Sequence, residues 1–197
     1  MPHAPLPTIA EAEQTMGMPI TDQRAWTVAD VWALPADPQH RYELVDGALL
    51  MTPAPSRAHQ RAVRALLRVL QEYALASKIG EALSAPFDIV LDDRTLVQPD
   101  VCVMPMESGT ASLPILAIEV MSPATARYDR LVKRARFQRA RIEYWIVDLD
   151  SRLVERWTPD AERPEICPIT LHWQPTGSSQ VSALDVEALM REVHGES

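Results

Sequence analysis

The sequence predicts a single domain of the α/β (α+β) class, a mixed β-sheet flanked by helices. Three observations carry that reading: helical hydrophobic spacing in several separate segments, strand-like alternation between them, and prolines dense enough to punctuate short elements. The 197 residues, 47% hydrophobic and 23% charged, suffice for one core and exclude a wholly disordered or collagen-like chain. Seventeen prolines against six glycines imply many rigid turns. No apolar run reaches the roughly 18 residues of a membrane span. The start, MPHAPLPTIAEAEQ, lacks a secretory signal, so the expected location is cytoplasmic. Two cysteines, Cys102 and Cys167, cannot build a disulfide framework, which fits a reducing compartment.

Residues 1–25, with four prolines and no sustained period, read as a loose arm before a domain over 26–194. TVADVWAL reads as a short helix capped by Thr27, with Asp30 in its first turn and Pro35 stopping it. RYELVDGALLMTP alternates around Asp46-Gly47, a pair favouring a type I′ turn, so 41–45 and 48–52 should pair as antiparallel strands. Tyr42 and Leu44 then share one face and Glu43 takes the other. Beyond Pro53 and Pro55, Ser56 caps a helix to about residue 77, with Val63, Leu66, Leu67, Leu70 and Ala74 at helical spacing. Arg57, Arg61, Arg64 and Arg68 form a stripe opposite that face, which reads first as solvated.

EALSAPFDIVL and LVQPDVCVM, on either side of a turn at Asp92-Asp93, are strand candidates. A loop at 105–114 leads into the strand PILAIEVMSP. The next helix starts near Ser122 or Thr125 and runs to about Ala140. YWIVDL (144–149) is the continuous apolar run of a strand covered on both faces, and RLVERWT (152–158) should pair with it across Asp150-Ser151. ITLHW adds an edge strand. SALDVEALMREV closes the chain as a helix capped by Ser182.

Walker, GxGxxG, GxSxG, HExxH and paired CxxC motifs are missing, which removes those enzyme classes. The unusual feature is a carboxylate inside an apolar strand, costly to bury unless paired or bound to a cation. Asp100 shares a strand face with Cys102 and Met104, and Glu119 shares one with Ala117 and Met121. As neighbours, these strands would set both acids beside one hard cation, typically magnesium. A plainer role stays open for each: a strand-end residue for Asp100, a salt bridge to a helix arginine for Glu119. The net charge of −8 argues against coating nucleic acid by bulk electrostatics. Between 121 and 141, however, seven basic residues are opposed only by Asp129. On that helix Tyr128, Leu131, Val132 and Ala135 form one apolar face, and Arg130, Lys133 and Phe137 form a second stripe that would carry Lys133 inward. Two acids, a cation and a lysine suit phosphodiester hydrolysis.

YELVDG (42–47), PSRAH (55–59), VQPDV (97–101), IEVMSPAT (118–125), DRLVK (129–133) and EYWIVD (143–148) occur in this order. The set resembles the Uma-type family of restriction endonucleases, within the PD-(D/E)XK nuclease superfamily. The resemblance implies a restriction-endonuclease-like core and a Mg2+-dependent endonuclease acting on DNA, with Mn2+ as substitute. It implies Asp100, Glu119 and Val120 as metal ligands. The superfamily lysine usually stands two residues after the second acid, where this chain has Met121. Uma-type members supply it from the next helix, which points to Lys133. Glu43 matches the family and would bind a second cation or a metal-bound water, while its plainer role, as a lone acid in a hairpin, is an ordinary surface residue. His59 is an accessory candidate whose plainer role is a core or capping histidine. Arg57, Arg61, Arg127 and Arg130 are candidate nucleic-acid contacts, and a homodimer is admitted. Two other functions stay open: a non-catalytic nucleic-acid-binding or regulatory relative, and a protein-interaction domain.

Overall fold

Local chemistry sets the first elements. A computed structural model describes residues 25–35, 41–52, 55–106, 112–121 and 126–196. The expected arm over 1–25, except its last residue, and the helix start at Ser122 or Thr125 lie outside these residues. Thr27 caps α1 (Val28–Trp32) in a reciprocal box, with the Thr27 amide donating to the Asp30 carboxylate at 2.9 Å. Strands β1 (Arg41–Val45) and β2 (Ala48–Thr52) form the expected antiparallel hairpin. Asp46 and Gly47 at its tip have φ of 56° and 79°, the two positive values a type I′ turn requires. Ser56 caps α2 (Arg57–Ala76), accepting from the His59 amide at 3.2 Å.

The remaining elements are β3 (Gly80–Ser84), β4 (Ile89–Asp92), β5 (Thr95–Val97), β6 (Val101–Pro105) and β7 (Leu116–Val120). A composite helix follows: α3 (Ala126–Tyr128), a π-helical turn (Asp129–Lys133) and α4 (Arg134–Arg139). Then come β8 (Glu143–Asp148), β9 (Leu153–Trp157), β10 (Glu165–Cys167), β11 (Thr170–Trp173), β12 (Ser182–Asp185) and α5 (Val186–His194).

The main sheet has the order β10-β9-β8-β7-β6-β3 and the second β2-β1-β5-β4, while β11 and β12 pair alone. Only β7 and β8 run parallel in the main sheet, and the composite helix lies within the crossover such a pair needs. On one face Ala62, Leu66 and Leu70 of α2 join Val103, Ile118, Trp145 and Val147. The alternate residues Cys102, Ala117, Tyr144 and Ile146 join Phe137 of α4 and Val45, Leu50 and Val97 of the second sheet. Both faces of β7 and β8 are therefore covered, the physical reason their sequences are continuously apolar. No described helix is long and apolar enough to cross a membrane.

Four expectations need correction. LVQPDVCVM is two strands in two sheets, because Pro99 has no N–H to extend a ladder and the chain changes sheet there. The turn after β4 lies at Asp93-Arg94, with Asp92 still in the strand and accepting from the Arg94 amide at 2.9 Å. Ser182 does not cap the last helix: Ser182 to Asp185 pair with β11, burying Ser182 and Leu184, and Asp185 is the cap, accepting from the Ala188 amide at 2.8 Å. The helix ending near Ala140 is interrupted by the π turn. This leaves Leu131 exposed and Ala135 outside the core, while Lys133 and Phe137 are buried.

Asp148 ends β8 by accepting the amides of Asp150 and Ser151 at 3.1 and 2.9 Å, and an Arg130 N–H at 2.9 Å. Burial alone would raise its pKa, but the Ser151 amide and the Arg130 guanidinium outweigh that and hold it below the ordinary carboxylate value. Such a group stabilises the fold above its unfolded pKa of about 3.9, and that contribution is lost as pH falls through the lower folded value. Urea midpoints should therefore decline on acidification below about pH 4, and Asp148→Asn should make that decline shallower.

Candidate active site

Two backbone irregularities build the site. The first is the Gln98-Pro99-Asp100 passage from β5 to β6. Because Val101 pairs with Ile118, the residue before β6 comes opposite the residue after Ile118, which sets Asp100 against Glu119. Asp100 is tied down by two donors on one oxygen: the Val120 amide reaches Oδ2 at 2.9 Å, and His59 Nε2 lies 2.9 Å from it. Arg41 Nη1 stands 3.7 Å from Oδ1. Burial would raise the Asp100 pKa, yet His59, the Val120 N–H and Arg41 together hold it below the usual carboxylate value.

The second irregularity is the π turn DRLVK. Residues four apart share one face of a helix, and in this π turn Asp129 and Lys133 are both buried. Lys133 Nζ lies 2.7 Å from Glu43 Oε2, 2.9 Å from Glu119 Oε1 and 3.6 Å from Asp129 Oδ1. The Gln98 amide fixes the other oxygen of Glu43 at 2.8 Å. Desolvation would lower the Lys133 pKa, but Glu119, Glu43 and Asp129 raise it well above the ordinary lysine value, so the amine is an ammonium. Burial pushes the Glu119 pKa up, with Lys133 opposing and the carboxylates of Asp100, Asp129 and Glu43 adding to the rise.

One ammonium thus faces three carboxylates, with Asp100 alongside. That surplus of buried negative charge suits a hard divalent cation, and magnesium needs only one or two carboxylates because it keeps several waters. Among the described residues no group of three His, Cys, Asp or Glu side chains is arranged to hold a metal unaided. Asp100 and Glu119 are the pair that could hold such an ion, with water completing the shell.

The structure brings Asp100, Glu119, Lys133, Glu43 and His59 together, and Val120 joins them through its amide. Glu43, a lone acid in a hairpin by sequence, is buried. The candidate nucleic-acid arginines separate. Arg57 and Arg127 are exposed, Arg61 donates to the Val193 carbonyl at 3.2 Å, and Arg130 binds Asp148 and Glu155. Arg64 and Arg68 of the same stripe contact Glu192 of α5. Sequence reasoning missed Arg41 and Asp129 as site residues. The available signal for Asp129 was its position four residues before Lys133 as the sole acid of a basic segment.

A family model described as "Uma2: Putative restriction endonuclease" matches residues 28–189. Among solved structures, the chain is similar to a protein from Anabaena variabilis described as a "putative nuclease belonging to DUF820". The TM-score is 0.72 and the identity 18%, over 85% of this chain and 99% of that one, which shows a shared fold. No curated protein matches the sequence.

Removing the ammonium would leave buried carboxylates without their counter-ion. Lys133→Met should destabilise the protein by about 3–5 kcal/mol at neutral pH. The loss should shrink on acidification, as the stranded acids take up protons, and Glu43→Gln in the same chain should recover part of it. Urea unfolding of the single and double variants measures all three effects.

Proposed function

The chain belongs to the Uma2 family, and from that premise we propose that it is a metal-dependent endonuclease that hydrolyses phosphodiester bonds of DNA. The observation that carries this reading is the Lys133 ammonium held at 2.9 Å from Glu119, on the strand whose next amide binds Asp100. Asp100 and Glu119 would hold magnesium or manganese. When bound, the ion supplies the positive charge that polarises a phosphate oxygen and lowers the pKa of a water.

The chain's own groups define the other functions. Lys133 retains its proton and therefore acts as a fixed positive charge facing the developing negative charge on phosphorus oxygens, not as a general base. Glu43 and Asp129 hold that ammonium in place. His59 and the Val120 amide fix Asp100 through Oδ2, so Oδ1, 3.7 Å from Arg41 Nη1, is the oxygen that would be offered to a cation. Arg57 and Arg127, on the helices that carry His59 and precede Lys133, are exposed and would meet backbone phosphates.

Purified protein should cleave plasmid DNA with magnesium or manganese and lose that activity in a chelator. Asp100→Ala and Glu119→Ala should each lower kcat by at least about a hundredfold while circular dichroism shows the fold retained. Undiminished cleavage by both variants would overturn the proposal. DNA binding without cleavage under every metal tried would identify a non-catalytic relative.

A further inference from the structure

The π turn that carries Lys133 changes which donor serves each carbonyl. In an α-helix the amide of Arg134 would donate to the carbonyl of Arg130, four residues back. Here that amide donates instead to the carbonyl of Asp129, five residues back. The Arg130 carbonyl is taken up by the side chain of the same residue, with Arg134 Nε donating to it at 3.1 Å. The Arg134 guanidinium is itself immobilised, stacked over Trp157 at 4.5 Å from the ring centroid and donating from Nη1 to Gln138 Oε1 at 3.0 Å.

Resting on the nuclease reading above, we infer that Arg134 is the positioning residue for Lys133. Its side chain replaces the hydrogen bond that its backbone gives up, and so makes the wide turn affordable at this one place. A return to α geometry would restore the amide bond to the Arg130 carbonyl and tighten the turn. That would rotate Lys133 relative to Asp129 and draw its ammonium away from Glu43 and Glu119. Arg130 fastens the same face of the turn to the sheet, bound to Asp148 of β8 and Glu155 of β9. Both arginines therefore tie the turn to β9, Arg130 through Glu155 and Arg134 through Trp157.

The composition of the chain offers a direct readout. Its 19 basic residues include only two lysines, Lys78, which is exposed, and Lys133, which is buried. Amine acylation by a succinimidyl ester, quantified by mass spectrometry, therefore reports Lys133 burial with Lys78 as the internal reference. In the native protein Lys133 should be strongly shielded. Arg134→Met keeps an apolar stem against Trp157 but removes the donor, and should raise the Lys133 acylation rate roughly tenfold. The same variant should lose kcat in DNA cleavage while KM holds. Trp157→Leu removes the stack but keeps the donor, and should leave Lys133 shielded.

Unchanged Lys133 shielding in a folded Arg134→Met protein would overturn the assignment, as would equal loss of shielding in Trp157→Leu. If Arg134→Met fails to fold, Arg134→Leu, which also lacks the donor, takes its place, and acylation of Lys133 no faster than in Trp157→Leu overturns the assignment. A native protein without cleavage activity, combined with shielding lost in Arg134→Met, supports the role of Arg134 in placing the ammonium and counts against the nuclease reading alone.

Discussion

The Lys133 ammonium holds together carboxylates from three elements that would otherwise repel one another. Glu43 comes from β1 in the second sheet, Glu119 from β7 in the main sheet and Asp129 from the π turn. Each acid was taken out of water to reach this point, at a cost that only a close and well-oriented counter-charge offsets. Because the partners belong to different sheets, the same contact that satisfies the charge also fixes how the two sheets meet. One group thus contributes both to the joining of the two sheets and to the geometry of the site.

Regular structure supplies the frame, and departures from it supply the chemistry. The register of β6 on β7 brings Asp100 and Glu119 to one level, but Asp100 reaches its position only because the chain leaves one ladder before Pro99 and joins another after it. The π turn does the same for Lys133. It buries Lys133 together with Asp129, four residues before it on the same face. Local irregularity held by surrounding contacts is the usual form of a preorganised polar site.

Charge shows why sequence runs and surfaces differ. The segment around Lys133 is strongly basic as written, yet Arg130 is bound to Asp148 and Glu155, Arg136 pairs with Asp46, and Arg141 with Asp160. The arginine stripe of α2 likewise meets the C-terminal helix at Glu192 and the Val193 carbonyl. Much of the apparent positive face is therefore spent inside the molecule, consistent with a chain whose net charge is −8.

The sequence by itself determined the elements whose cause is local. Asp46-Gly47 specifies the hairpin, Thr27 and Ser56 specify helix starts, and the apolar runs of β7 and β8 declare strands covered on both faces. It also made Asp100 and Glu119 legible, since a carboxylate in an apolar strand is costly wherever the strand lies. What only the tertiary structure decided depends on distant groups. Glu43 looked like a surface acid until β1 was set against the main sheet, and Arg41 had no partner that spacing alone could name. The end of the chain shows the same limit, because Ser182 is drawn into a strand by β11, a partner that no helical cap rule can see. Hydrogen bonds within a few residues are written in local order, whereas the energy of a buried charge depends on what the whole fold places around it.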